Sequence, residues 1–200
     1  MPYSQFKTIS SVSEAFGLTI VEGSCFLPTV PTVAPSETLN RFLELSLPIA
    51  SSASEKARSE GIIYPMLLEI KRIRPQGVSL FSGETFDVDA SVGLNGVCDF
   101  LLSRSGSVLE IQAPAVMLVE AKQENLKGGM GQCIAEMVAA QKFNHQRQQP
   151  LLTIYGSVSS GTQWRFLKLQ DSTVTIDLTD YPLPPIAQIL SFLVWMVSEG

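Results

Sequence analysis

Histidine and cysteine are scarce in this chain, which has one His and three Cys in 200 residues. The single histidine, His145, leaves no partner for a histidine-rich zinc or iron centre. It would also have to serve any Ser-His-Asp hydrolase. It sits beside Asn144 and Gln146 just past an expected helix end, where interaction with the helix C-terminus accounts for it. Cys25, Cys98 and Cys133 are odd in number, far apart and without a CxxC pair. That argues against a zinc knuckle or a disulfide framework and suits a reducing, cytoplasmic compartment.

Long apolar runs are also missing. No basic start, apolar run and small-residue cleavage site occur together near the N-terminus, so no signal peptide is expected. The most apolar segment, Ile186 to Val197, is interrupted by Gln188 and Ser191. It is shorter than the roughly 20 residues of a membrane-spanning helix and reads as a buried C-terminal helix, with no membrane partner. Basic charge is not in excess: the net charge is −5. Phosphate binding asks only for a local basic surface, for which Lys71, Arg72 and Arg74, or Lys127, Lys142 and Arg147, are candidates. The same residues also read as ordinary solvated faces.

What is present is enough apolar material for a core, 45% of the residues against 16% charged, in a chain of single-domain length. Residues 1–35 read as an N-terminal accessory segment, with a short helix over Ser11 to Phe16 ended by Gly17 and an extended stretch around Pro28, Pro31 and Pro35. Residues 36–200 read as the main α/β domain. A helix is expected from about Glu37 to Leu45, stopped by Pro48. Ser52-x-x-Glu55 fits a capping box. Behind it Ala53, Ala57, Glu60, Ile63, Tyr64, Leu67 and Ile70 recur at helical spacing, with a kink or break expected at Pro65.

Strand texture follows. Ser79 to Asp87 reads as two short strands around Ser82-Gly83, Leu94 to Ser103 as a longer strand, and Val116 to Lys122 as a central one. Lys127-Gly128-Gly129-Met130-Gly131 lacks the ending of a nucleotide-binding P-loop and reads as a turn. After it, Cys133, Ile134, Met137, Val138 and Gln141 mark one side of a helix reaching about Asn144. Leu151 to Val158 and Thr162 to Leu169 form a hairpin, in which Trp164 and Phe166 read as packing residues. Val174 to Leu178 suits a short strand, and Pro184-Pro185 introduces the last helix. The order predicts one central mixed sheet flanked by helices.

Chemistry concentrates in Leu118-Val119-Glu120-Ala121-Lys122. Alternate strand residues share a face, so Glu120 and Lys122 project together with Cα atoms about 6.5 to 7 Å apart. Such charges near a core are costly unless paired or coordinated. Asp99 lies on the preceding strand. If the two strands are neighbours, Asp99 and Glu120 converge, and a divalent cation would relieve their repulsion.

Asp99, a gap of twenty residues, then Glu120-Ala121-Lys122 resembles the signature of the PD-(D/E)xK, or restriction-endonuclease-like, nucleases. The resemblance covers about residues 52 to 158 and departs at Cys98, where the family usually has proline. Many members carry a glutamate on the preceding helix. Glu60 matches it best, with Glu69 and Glu55 as rivals, Glu55 being accounted for as a cap. Gln132 matches the glutamine that some members carry on the following helix, and Glu136 lies one turn further along the same side.

The resemblance implies a restriction-endonuclease-like core with helical additions at both ends and metal-dependent hydrolysis of nucleic acid, DNA first. Asp99 and Glu120 would hold Mg²⁺ or Mn²⁺, and Lys122 would orient water or stabilise charge. Glu60 would complete the metal shell, and Gln132 would steady the lysine or touch substrate. A homodimer is among the arrangements it allows. The alternative is a catalytically silent member of the same fold that binds DNA or another protein.

Overall fold

In the computed structural model, which describes residues 2–23 and 25–199, the buried run Ala115–Ala121 forms the centre of the architecture as strand β4. All seven of its residues are buried, which explains why the sequence there is apolar without alternation. The other strands are β1 (Thr19–Glu22), β2 (Ser79–Thr85), β3 (Val97–Ser103), β5 (Ile154–Ser159), β6 (Gln163–Gln170), β7 (Thr173–Ile176) and β8 (Tyr181–Pro182). They make one sheet in the order β1-β7-β6-β5-β4-β3-β2, with β8 paired to β6. β4/β5 and β1/β7 are parallel and the remaining pairs antiparallel. The expected mixed α/β sheet is therefore present.

Helices cover both faces. α1 (Ile9–Phe16) and the crossover helix α5 (Met130–Gln146) lie on one; α2 (Glu37–Ala50), α4 (Tyr64–Ile73) and α6 (Ile186–Glu199) lie on the other. α3 (Glu55–Arg58) leads through a π-type turn, Ser59–Ile63, into α4. The C-terminal helix buries Ile189, Leu190, Leu193 and Met196. Among the described residues no helix is long and apolar enough to cross a membrane.

Several local expectations change. α2 runs through Pro48 to Ala50. Proline removes one hydrogen bond in the last turn, which a helix end tolerates better than a helix middle. Ser54, not Ser52, caps α3, accepting the Ala57 N–H at 3.3 Å. Pro65 divides its helix as expected. Its missing N–H leaves the Gly61 carbonyl without the usual helical partner, and the Ser46 hydroxyl donates to that oxygen at 2.6 Å. β2 is a single strand, because Gly83 adopts a φ of 67° within it and spares the chain a turn. His145 falls within the final turn of α5 rather than beyond it. Trp164 and Phe166 are fully buried and stacked, 6.4 Å between ring centres.

The first 35 residues, expected as an accessory segment, add β1 to the sheet and cover the outer side of α5 with Tyr3, Phe6 and Val12. That cover explains why α5 is buried over more than the one expected side. Contact is close enough that a Cβ on Gly131 would sit 2.3 Å from the Phe6 carbonyl oxygen. Only glycine fits there.

Candidate active site

β3 and β4 are antiparallel neighbours, with Phe100 opposite Val119 and Leu101 opposite Leu118. Continuing that register sets Asp99 across from Glu120, on the side of the sheet that α5 covers. The junction is tied directly: the Ala121 N–H donates to Asp99 Oδ2 at 2.8 Å. Lys122 follows the end of β4, and its own N–H donates to the Ser159 carbonyl of β5 at 2.8 Å. The lysine is thus fixed at its backbone before its side chain does anything.

Glu120 is held at both oxygens. Lys122 Nζ donates to Oε1 at 2.5 Å, and Gln132 Nε2 donates to Oε2 at 2.9 Å. The same Gln132 nitrogen donates to Glu136 Oε1 at 3.1 Å. Gly129 makes room for the lysine stem, since a Cβ there would lie 3.0 Å from Lys122 Cε and 2.9 Å from Val158 Cγ1. The glycine turn therefore shapes the site by what it lacks. Beside it is an open depression of about 390 Å³ lined by Lys122, Gln123, Glu124, Asn125 and Gly128. The Lys122 side chain is 24% exposed and Glu120 1%, so the amine, not the acid, meets solvent.

Burial dominates the electrostatics. It pushes the Glu120 carboxyl up to about 8, with the Asp99 charge adding to the rise and Lys122 opposing it. Asp99 is raised too, chiefly by burial, against the pull of the Ala121 N–H and Lys122. Burial acts against the Lys122 charge, but Glu120 beside it outweighs this and raises its pKa. Glu136 lies deeper, fully buried, and burial followed by the nearby Glu120 charge holds its carboxyl far above the usual range.

Asp99, Glu120, Lys122 and Gln132 are thus brought together. Glu60 is not. It lines a shallow depression with Tyr64, Ser82 and Phe100, on the face that α4 covers, and forms an exposed 3.8 Å pair with Lys56. Its helix packs on the face of the sheet opposite Asp99 and Glu120, so no turn of that helix need bring Glu60 to them. Glu69 is occupied elsewhere, accepting from the Ser36 N–H (2.8 Å) and hydroxyl (3.0 Å) and from Arg72 (2.9 Å). Of the three helix glutamates it is Glu55 whose charge acts on Asp99, Glu120 and Lys122. Its place at a helix start reads as a cap, which gives no sign that its charge is felt there.

The oxygen donors suit a hard divalent cation, and neutralising crowded, buried acids is what such an ion does. Among the described residues no group of three or more His, Cys, Asp or Glu converges on one point. Asp99 and Glu120 are the two carboxylates that such an ion would meet there. No protein-family model matches the chain, and no curated protein matches its sequence.

Proposed function

We propose that this protein is a restriction-endonuclease-like nuclease that uses Mg²⁺ or Mn²⁺ to hydrolyse phosphodiester bonds of nucleic acid, DNA in the first instance. One observation carries the reading. Two acids from adjacent strands and a lysine two residues further on meet at one strand end, beside an open depression. Asp99 and Glu120 would hold the ion. When bound, it polarises the scissile phosphate and lowers the pKa of a water. Lys122 has three N–H bonds, of which Glu120 takes one, so donors remain to orient the attacking water or meet the charge that develops on phosphate oxygens. Gln132 acts on Glu120, keeping the carboxylate plane fixed. Among the described residues no hydrogen bond joins it to the lysine.

Nicking of supercoiled plasmid and cleavage of single-stranded DNA, each with Mg²⁺ or Mn²⁺, test the proposal. Lys122→Ala is expected to cost about 10²-fold or more, the scale of losing a transition-state donor. Undiminished turnover in Lys122→Ala would reject the mechanism.

A second reading, a silent member of the same fold, is favoured by one feature: both Glu120 oxygens already have protein partners. That reading expects no metal-dependent shift in melting temperature. A steep fall in DNA affinity with salt would then mark a DNA binder, and no affinity at all a protein-interaction module.

A further inference from the structure

Gln132 bonds Glu120 Oε2 through its amide nitrogen, which has two protons. One goes to Glu120 Oε2 at 2.9 Å and the other to Glu136 Oε1 at 3.1 Å. An amide could equally present its carbonyl oxygen to Glu120, which would repel the carboxylate instead of holding it. Something must select the productive orientation, and Glu136 is placed to do so. It is one helical turn along α5 from Gln132, fully buried, and its Oε1 accepts from the Gln132 amide nitrogen. Its other oxygen, Oε2, is buried with no hydrogen-bond partner. Leaving a buried polar atom unmatched is costly, so packing alone does not explain a glutamate at this position.

We propose that Glu136 is a positioning residue: it fixes the flip of the Gln132 amide and, through Gln132, the orientation of the Glu120 carboxylate. It does not line the depression, and its hydrogen-bonded route to Glu120 runs through Gln132; its charge also acts on Glu120 directly, which is why the isosteric Glu136→Gln is the informative control. The catalytic consequence rests on the nuclease reading; the positioning itself does not.

Two readouts separate those claims. The first is NMR of the Gln132 side-chain amide. In the wild type both Nε2 protons are expected to exchange slowly, because both are bonded. Glu136→Leu should release one of them, with a change in its shift. Glu136→Gln, which keeps an acceptor at the Oε1 position, should restore the wild-type signature. The second is a double-mutant cycle on plasmid nicking. Glu136→Leu and Gln132→Leu should each lower kcat by about 10- to 100-fold, the range for partners that orient a metal ligand. KM for DNA should stay unchanged, Glu136→Gln should stay within about threefold of wild type, and the double variant should be no worse than Gln132→Leu alone.

Fast exchange of either Gln132 proton in the wild type would overturn the inference. So would additive losses in the double variant. If Glu136→Leu fails to fold, Glu136→Met takes its place, and the wild-type exchange measurement needs no variant. A wild type that nicks no DNA would remove the nuclease reading while the amide measurement still decides the positioning.

Discussion

Replacing Asp99 by asparagine is expected to stabilise the protein, and the gain is expected to grow as pH rises. The new side chain would still accept the Ala121 N–H through its amide oxygen, so the 2.8 Å bond survives. What disappears is a negative charge that raises Glu120 and is attracted by Lys122; burial and the repulsion outweigh that attraction, since the Asp99 carboxyl is itself raised. Two like unit charges ~4 Å apart at an effective dielectric of ~20 repel by ~4 kcal/mol, the upper bound for such a pair. Asp99 is only half-buried, and screening leaves ~1–2 kcal/mol of this. For a chain of this size that is a rise in Tm of ~2–8 °C. The sign follows from linkage. A carboxyl raised to about 8 binds more protons folded than unfolded, so wild-type stability falls as pH climbs from the ordinary carboxylate range to about 8. With Asp99 neutralised, Glu120 ionises more easily and that fall becomes smaller. Thermal melts from pH 5 to 9, with and without Mn²⁺, measure both effects. Wild type should gain stability from the ion and the variant should not. A variant that melts below wild type at pH 8 to 9, or whose gain is the same at every pH, would refute the reasoning.

Three further outcomes follow from the same geometry. Glu60→Gln should leave nicking and melting temperature within error, because the residue is exposed and off the site, whereas Glu55→Gln should weaken Mn²⁺ binding in a titration. Gly129→Ala should push the Lys122 stem aside, costing about 1–3 kcal/mol of stability by denaturant titration and a larger fraction of activity than of fold. Ser46→Ala should cost about 1 kcal/mol by the same assay, since it strips the partner from the Gly61 carbonyl opposite Pro65. A Gly129→Ala enzyme with full activity, or a Ser46→Ala protein as stable as wild type, would contradict the packing described here.

Residues that act through local periodicity were readable in advance. Period-2 alternation put Glu120 and Lys122 on one face, and their ion pair realises it. Gln132 is marked only by the family resemblance, not by periodicity. Helical spacing marks Glu60 as lying on the apolar side of its helix but does not say which face of the sheet that helix covers, and α4 covers the face opposite Asp99 and Glu120. Nothing local distinguishes Glu55, at the exposed start of a helix, from an ordinary first-turn acid. Glu136 was noticed as lying along the same side as Gln132, but its burial depends on the first 18 residues folding over α5.

The sequence alone determined the α/β class, the central apolar strand and the pairing of an acid and an amine at its end, because these follow from the two-residue repeat of a strand and the cost of lone charges beside a core. Only the tertiary structure decided that β3 lies beside β4, so that Asp99 reaches the Ala121 amide; that Glu60 lies on the other face of the sheet; and that a buried glutamate stands behind Gln132. Strand neighbours and helix breaks are set by contacts between residues far apart in the chain, and no local pattern encodes those.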